Sequence, residues 1–438
     1  MSDICYEIVA LLCQILAGVP VGTNLGLFHL FWALLSGRFL TFRGGIFPSL
    51  EDLGLPADAV RRAEAALAGG QWEIGDLIAR WHKTVLGQDR FQAHSYEGFR
   101  PVPCDLIGFF RPKLQNCPSK HFISRAGKAL PALVFCLIAT VGSVDKSRLA
   151  IPRALIRQAP DETEVQFQRR MHVRLKTVLA PDEAAILDAG SEISDVLAAG
   201  LKRFVLRGPS NFAGRRNILP PYKGRGAHPQ YGEEVRPLAR WYKDHKIEAT
   251  LPDDTARWKE GKHTIRAHIY NNLVLFSAKP GSRTFRCIVI YDPRYKQPLV
   301  LLTDLAVTAY ALRCLYRDRW PIEQIPLSAK QMLGTERSFV FGKESRFRLP
   351  ELALLAGNVL SYVAACYQAI ATGFWDRCAR PTCGRLRRAL ARFNFSDLAL
   401  REGRIRKKNS VTGHLPKGVN AHRRTKAIPN PSAERMAA

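Results

Sequence analysis

The stretch LYRDRWPIEQIPLSAKQMLG, residues 315–334, carries Tyr316, Arg319, Glu323 and Lys330 in the spacing Y-x2-R-x3-E-x6-K. It sets one carboxylate among two cations and a phenol. The combination suits a metal-held phosphate: Glu323 binds a divalent cation, Arg319 and Lys330 grip phosphate oxygens, and Tyr316 hydrogen-bonds the nucleic-acid backbone. On an unbroken helix, offsets of 3, 7 and 14 residues fall on one face, because each residue turns the chain by about 100°. Pro321 interrupts such a helix, since it lacks an N–H and pushes Trp320 away from helical dihedrals. The expectation is one helix ending near 317–319 and another beginning at Pro321. Glu323 then sits in a first turn, where the helix dipole favours a carboxylate, and Lys330 lies two turns further along the same face.

These residues resemble the Y-R-E-K motif of the DDE transposases of bacterial insertion sequences, in the branch named after insertion sequence four. Trp320, beside Arg319, also suits that family, where it implies a base-stacking residue. The resemblance covers roughly residues 96–375. It implies an α/β, ribonuclease-H-like catalytic core with a β-rich insertion before the catalytic Glu. It implies Mg²⁺ as the ion, with Mn²⁺ as substitute. The implied activity is cut-and-paste transposition: strand hydrolysis at terminal inverted repeats, then attack of the freed 3′-hydroxyl on target DNA. The partners would be double-stranded DNA, at the element's ends and at the target, and a second copy of the chain in a synaptic dimer or larger assembly.

Composition agrees with a polyanion as partner. The 438 residues carry a formal net charge of +27, an excess that points most simply to nucleic acid. The charge is uneven. Residues 1–95 hold 7 Lys and Arg against 9 Asp and Glu, whereas residues 376–438 hold 16 against 4. The ten cysteines are scattered without a C-x2-C pair, and Cys378 and Cys383 have no second pair or His cluster to complete a zinc site. That pattern fits buried free thiols in a reducing bacterial cytoplasm. Two stretches, 8–37 and 352–375, lack charge. Gly18, Pro20 and Gly22 break the first, and Asn358, Ser361, Tyr362 and Gln368 dilute the second. Buried core helices explain both better than membrane spans do.

The chain reads as five segments. Residues 1–95 form a helical N-terminal domain, for DNA binding or dimerisation, in which 57–68 and 71–85 are two helices joined through Gly69 and Gly70. Residues 96–208 form the first part of the α/β core. Their apolar runs predict strands at 100–110, 132–144 and 147–156, a helix at 161–179, a strand at 183–190, a helix at 191–200 and a strand at 202–208. Ser191 reads as an N-cap and Gly200 as a helix stop. Residues 209–304 form the β-rich insertion, with strand-like runs at 263–270, 272–278, 284–292 and 298–304. Residues 305–375 are the helical end of the core, and 376–438 a basic tail.

Phosphoryl transfer of this kind needs further carboxylates beside Glu323. Asp188 ends an apolar strand and precedes a helix, the place of the family's second Asp, with a strand ending in Arg207 shortly after. The residue following it is Ala189, where many relatives have Arg. Asp105 lies on the first strand of the pattern, far enough ahead of Asp188 for two more strands and a helix. Asp145 is its rival, but only 43 residues separate it from Asp188. Asp304 also ends a strand, and reads as an N-cap. The expected catalytic and metal-binding set is therefore Asp105, Asp188 and Glu323. Tyr316, Arg319, Lys330, Arg207, Arg215 and Arg216 would contact DNA phosphates. A transposase-derived DNA-binding protein without catalysis is the alternative, and a basic membrane-associated protein anchored through 8–37 is a third reading.

The basic tail generates a measurable expectation. If about a quarter of its cations touch phosphate, removing residues 376–438 should flatten log K against log[salt] on duplex DNA by roughly three to four units, at about −0.9 per phosphate. Affinities for specific and random duplexes at several salt concentrations test this. An unchanged slope would reject the tail as a DNA contact.

Overall fold

The computed structural model of the chain describes residues 2–123, 126–337, 340–371 and 373–392. Its described residues form two compact units, one of those up to Thr84 with those from Leu327 to 392, the other Val85–Pro326. The first opens with helices α1 (Ser2–Leu16), α2 (Thr23–Leu35), α3 (Arg38–Thr41), α4 (Ile46–Glu51), α5 (Ala57–Gly69) and α6 (Ile74–Leu86). The uncharged run 8–37 thus folds as two helices. The break falls where the sequence places Gly and Pro, and Gly22 turns the chain at φ +94°. Eleven of the thirteen α2 residues are buried. A Cβ on Gly26 would come within 2.7 Å of both the Ala66 Cβ and the Arg62 carbonyl, so α2 and α5 cross with their backbones close together.

The second unit follows with β1 (Phe91–Ala93), β2 (Arg100–Phe110), β3 (Lys120–Ile123), β4 (Lys128–Val144), β5 (Ser147–Arg157), α7 (Glu164–Val178), β6 (Glu183–Leu187), α8 (Ile193–Ala198) and β7 (Phe204–Arg207). Next come β8 (Gly214–Arg216), β9 (Glu234–Val235), β10 (Arg240–Tyr242), β11 (His245–Ile247), β12 (Asp254–Glu260), β13 (His263–Leu275), β14 (Phe285–Tyr291) and β15 (Leu299–Thr303). Helices α9 (Ala309–Arg317) and α10 (Trp320–Leu327) close it.

One mixed sheet organises this unit. Its path runs β1-β4-β2-β6-β7-β15-β14-β13-β8-β9, with β3 and β5 also paired to β4 and β12 to β13. Strand β4 is antiparallel to β2 and β5, whereas β2, β6 and β7 run parallel. The strands after residue 209 do not form a separate body: β15 pairs antiparallel with β7, and β14 and β13 continue the sheet from there. Alternation along the strands sends residues to two cores. Ala185, Leu187, Phe204, Leu206 and Val289 meet Phe167, Met171 and Leu175 of α7 on one face. Ala184, Ile186, Val205, Ile288 and Leu301 meet Leu312 and Leu315 of α9 on the other. Both faces are covered by helices, which accounts for the nearly unbroken apolar runs of β6 and β7.

Three local expectations are corrected. Ser191 is not the cap of α8; Glu192 holds that position, and the Ser191 hydroxyl lies 3.2 Å from His172 Nε2 instead. Asp304 does not cap α9 either. Thr308 does, its hydroxyl accepting from the Ala311 N–H. The runs 263–270 and 272–278 are a single strand, β13, interrupted by a bulge between Tyr270 and Leu273 at which Asn272 adopts φ +50°.

After a π-helical turn, Ser328–Met332, the chain supplies α11 (Ser345–Cys366) and α12 (Cys383–Leu390) to the first unit. Residues 327–366 thus belong with the N-terminal helices. Trp81 donates to Asn358 Oδ1 at 2.7 Å and stands edge-on to Tyr362. The buried Arg348 donates to the Leu67 and Trp72 carbonyls. By length and composition α11 could cross a membrane, yet its apolar window is 83% buried within the fold. It is a core helix. Of the basic tail, residues 393–438 lie outside the described residues.

The real work of Asp304 yields a prediction. Its carboxylate accepts from the backbone N–H groups of Arg203 and Phe204, at 3.1 and 3.0 Å, and from Arg283 at 2.9 Å. Asp304→Ala strands two backbone donors at the start of β7 and should cost about 2–4 kcal/mol by urea denaturation. A loss below about 1 kcal/mol would show that water replaces the carboxylate there.

Candidate active site

The parallel pairing of β2 with β6 brings two carboxylates together. Its register runs from Arg100 opposite Glu183 to Pro103 opposite Ile186. Carried two residues further, it sets Asp105 opposite Asp188, on strands about 4.8 Å apart. Strand β6 ends at Leu187 while β2 continues alongside β4. Asp188 is thus the first residue beyond a strand end, and its side chain turns back to accept from the Ala189 N–H at 2.7 Å.

The break between α9 and α10 supplies the rest. Arg319 Nη1 stands 3.4 Å from Asp188 Oδ2, and Nη2 donates to Glu323 one turn along. Glu323 is in the first turn of α10, as Pro321 predicted, although that helix opens at Trp320. The ionisation of Asp105 responds to the same groups. Burial pushes its carboxyl up to about 6; Asp188 and Glu323 add to the rise, while Arg319 and the Leu106 N–H oppose it. Burial also raises the Tyr316 phenol, and Arg319 and Arg207 act against that rise. Three carboxylates, a guanidinium and a phenol from β2, the β6 end, α9 and α10 therefore share one electrostatic site. Trp320 is 60% exposed beside it.

The remaining expected residues lie on other elements. Lys330 is on the π-helical turn of the first unit, whereas the carboxylates belong to the second. Arg207 is exposed at the end of β7, within electrostatic reach of Tyr316. Arg215 and Arg216 are on β8, separated from β7 by β15, β14 and β13. Both are engaged within the chain: Arg215 donates to the Phe276 and Gly232 carbonyls, and Arg216 pairs with Asp253 at 2.6 Å. Asp145, the rival first carboxylate, occupies the tight turn between β4 and β5 at φ +48°.

Two cavities flank the site, and neither was expected from sequence. One of about 360 Å³ reaches Asp105 and Asp188 and is lined by His121, Glu164, Gln168, His172 and Ser191. Its signal was present in α7, where Glu164, Gln168 and His172 recur every four residues and so share a face. The other, of about 590 Å³, is lined by Arg207, Arg294, Lys296, Arg313 and Arg317 with Glu260 and Asp292. Asp292 is held well below the usual carboxylate range, first by its hydrogen bond to Arg294 and also by Arg313. Among the described residues, Arg207, Lys296 and Arg317 have no carboxylate partner, so the cavity is cationic.

Among the described residues, no group of three or more His, Cys, Asp or Glu side chains is set to hold a metal ion. Arg319 stands among the three carboxylates instead. Their chemistry nevertheless fits a divalent cation: hard oxygen donors, with more negative charge than one guanidinium balances. No protein-family model and no curated protein matches the chain.

Asp105 makes the site measurable through stability. Because its pKa is raised on folding, its protonated form is favoured in the folded state. That stabilisation is complete below about pH 4, the unfolded value, and is lost as the pH rises through about 6. Asp105→Asn should therefore raise stability at pH 7–8 by ~2–3 kcal/mol, with the gain vanishing near pH 4. Melting temperatures across that range test it. A difference independent of pH would show that Asp105 is not the titrating group.

Proposed function

We propose that the chain is a DDE-type DNA transposase, which cleaves DNA strands at terminal inverted repeats and transfers the freed ends into target DNA. The observation that carries this reading is the electrostatic convergence of Asp105, Asp188 and Glu323 around Arg319. Strand order supports it. An antiparallel trio, β5-β4-β2, continued by parallel β6 and β7 with α7 and α8 as the connections, is the arrangement expected of a ribonuclease-H-like core. The net charge of +27 and the cationic cavity beside Arg207 suit a DNA backbone.

Asp105, Asp188 and Glu323 would hold Mg²⁺ or Mn²⁺, which supplies charge stabilisation at the phosphoryl oxygens and eases deprotonation of the attacking water or 3′-hydroxyl. The chain's own groups do the rest. Arg319 is placed to grip a non-bridging oxygen of the scissile phosphate while staying paired to Glu323. Tyr316 donates its phenolic proton to the neighbouring backbone, and Arg207 leads the strand toward the cationic cavity. In hydrolysis, a water oxygen bonds to phosphorus as the 3′-oxygen leaves, giving a 5′-phosphate and a free 3′-hydroxyl. In transfer, that 3′-oxygen attacks a target phosphate and displaces the target's own 3′-oxygen. The expected assembly is a homodimer or larger complex joining two DNA ends, in a bacterial cytoplasm.

The test uses the full chain, duplex DNA carrying the inverted repeats that flank its gene, and Mg²⁺ or Mn²⁺. Nicking should require the metal and fall more than about 100-fold in Glu323→Gln, Asp188→Asn and Asp105→Asn, with gel-shift affinity retained. Cleavage by Glu323→Gln at the wild-type rate would overturn the assignment.

A further inference from the structure

The tight turn ahead of β2 grips both ends of α9. Tyr96 and Phe99 exchange backbone hydrogen bonds of 2.9 and 3.0 Å, closing a turn over Glu97 and Gly98, both at positive φ. At the N-terminus of α9, Glu97 accepts from the Thr308 N–H at 3.0 Å and from its hydroxyl at 2.5 Å. At the C-terminus, Asp318 is fully buried. Its Oδ2 accepts from the Tyr96 hydroxyl at 2.9 Å and lies 2.7 Å from His94 Nδ1, while Oδ1 faces Arg148 at 3.3 Å. The grip is itself anchored to the sheet, because the His94 N–H donates to Val141 of β4 and Arg148 belongs to β5.

Two physical points make this more than packing. Ala311, Leu312 and Leu315 hold α9 to the sheet by apolar contact, which is non-directional and resists sliding weakly. Hydrogen bonds at the two ends do fix the helix along its axis. A buried carboxylate is also a costly way to fill space, since an apolar residue of similar volume would be as stable or more so. Asp318 directly precedes Arg319 and lies two residues after Tyr316, so any slip of α9 moves both against Asp188.

We infer that His94, Tyr96 and Glu97, acting on Thr308 and Asp318, form a positioning clamp that holds α9 at the setting where Arg319 and Glu323 meet Asp105 and Asp188. The clamp's purpose rests on the transposase reading; its geometry does not.

The experiment uses the full chain as wild type, Asp318→Asn, Tyr96→Phe and Glu97→Ala, with Asp304→Ala as a control that loosens the same unit elsewhere. Selective arginine labelling follows the guanidinium protons of Arg319, whose Nη2 donates to Glu323 and whose Nη1 stands 3.4 Å from Asp188. Single-turnover nicking and gel-shift affinity are measured alongside. The clamp variants should exchange these protons at least about tenfold faster and nick about tenfold more slowly or worse, with DNA affinity within about twofold. The control should leave Arg319 exchange unchanged. Should Asp318→Asn fail to fold, Tyr96→Phe and Glu97→Ala decide the matter, each removing contacts at one end of the helix. Folded variants with wild-type exchange and nicking overturn the clamp and leave the transposase reading standing. A wild type that nicks no duplex, with clamp variants that still expose Arg319, overturns that reading and leaves the clamp.

Discussion

A single guanidinium set among three carboxylates is the interaction on which the candidate site depends. Arg319 faces Asp188, pairs with Glu323 and is felt by Asp105. Without it, three acids would share a partly enclosed space, and repulsion together with lost hydration would drive protons onto them. Burial raises the carboxyl of Asp105, and Asp188 and Glu323 add to the rise against the pull of Arg319.

The sheet is what makes the crowding possible. Asp105 is in mid-strand, held by the β4 ladder opposite Leu137 just past the residues of β2 that pair with β6. Asp188 stands just past a strand end, free to turn outward. Arg319 lies in the break between α9 and α10 and Glu323 in the first turn of α10, with α9 held at both ends by residues ahead of β2. Rigid strand, strand end and pinned helix boundary are three ways of limiting side-chain freedom, and all converge on one point.

Much of this architecture was legible in the chain. The apolar runs predicted β2, β4, β5, β6, β7, β14 and β15, and the helix expected at 161–179 is α7, which begins at Glu164 behind its Thr163 cap. Pro321 predicted the α9–α10 break, and Gly18 to Gly22 the gap between α1 and α2. Short strands escaped notice: β1, β3 and β8 to β11 have too few residues for alternation to register, and β12 alternates largely charged side chains. The bulge in β13 was invisible because Asn272 looks like a turn between two strands. Asp304 looked like a cap by position, yet its carboxylate reaches back about a hundred residues to β7.

By itself the sequence determined which residue types could do phosphate chemistry, and in what local frames. The Y-R-E spacing across a proline sets Tyr316, Arg319 and Glu323 near one helix break because three to four residues make one turn. It also determined a strongly cationic chain. Only the tertiary structure decided which aspartates join them. Asp105, Asp145 and Asp304 are all strand-associated acids, and it is the β2–β6 register that sets Asp105 beside Asp188 while the others serve a turn and a backbone clasp. Likewise Arg215 and Arg216 resemble free cations in the chain but are consumed by carbonyls and Asp253 in the fold. The reason is the same in each case. Pairings between residues far apart along the chain are chosen by strand register and packing, which no local pattern encodes.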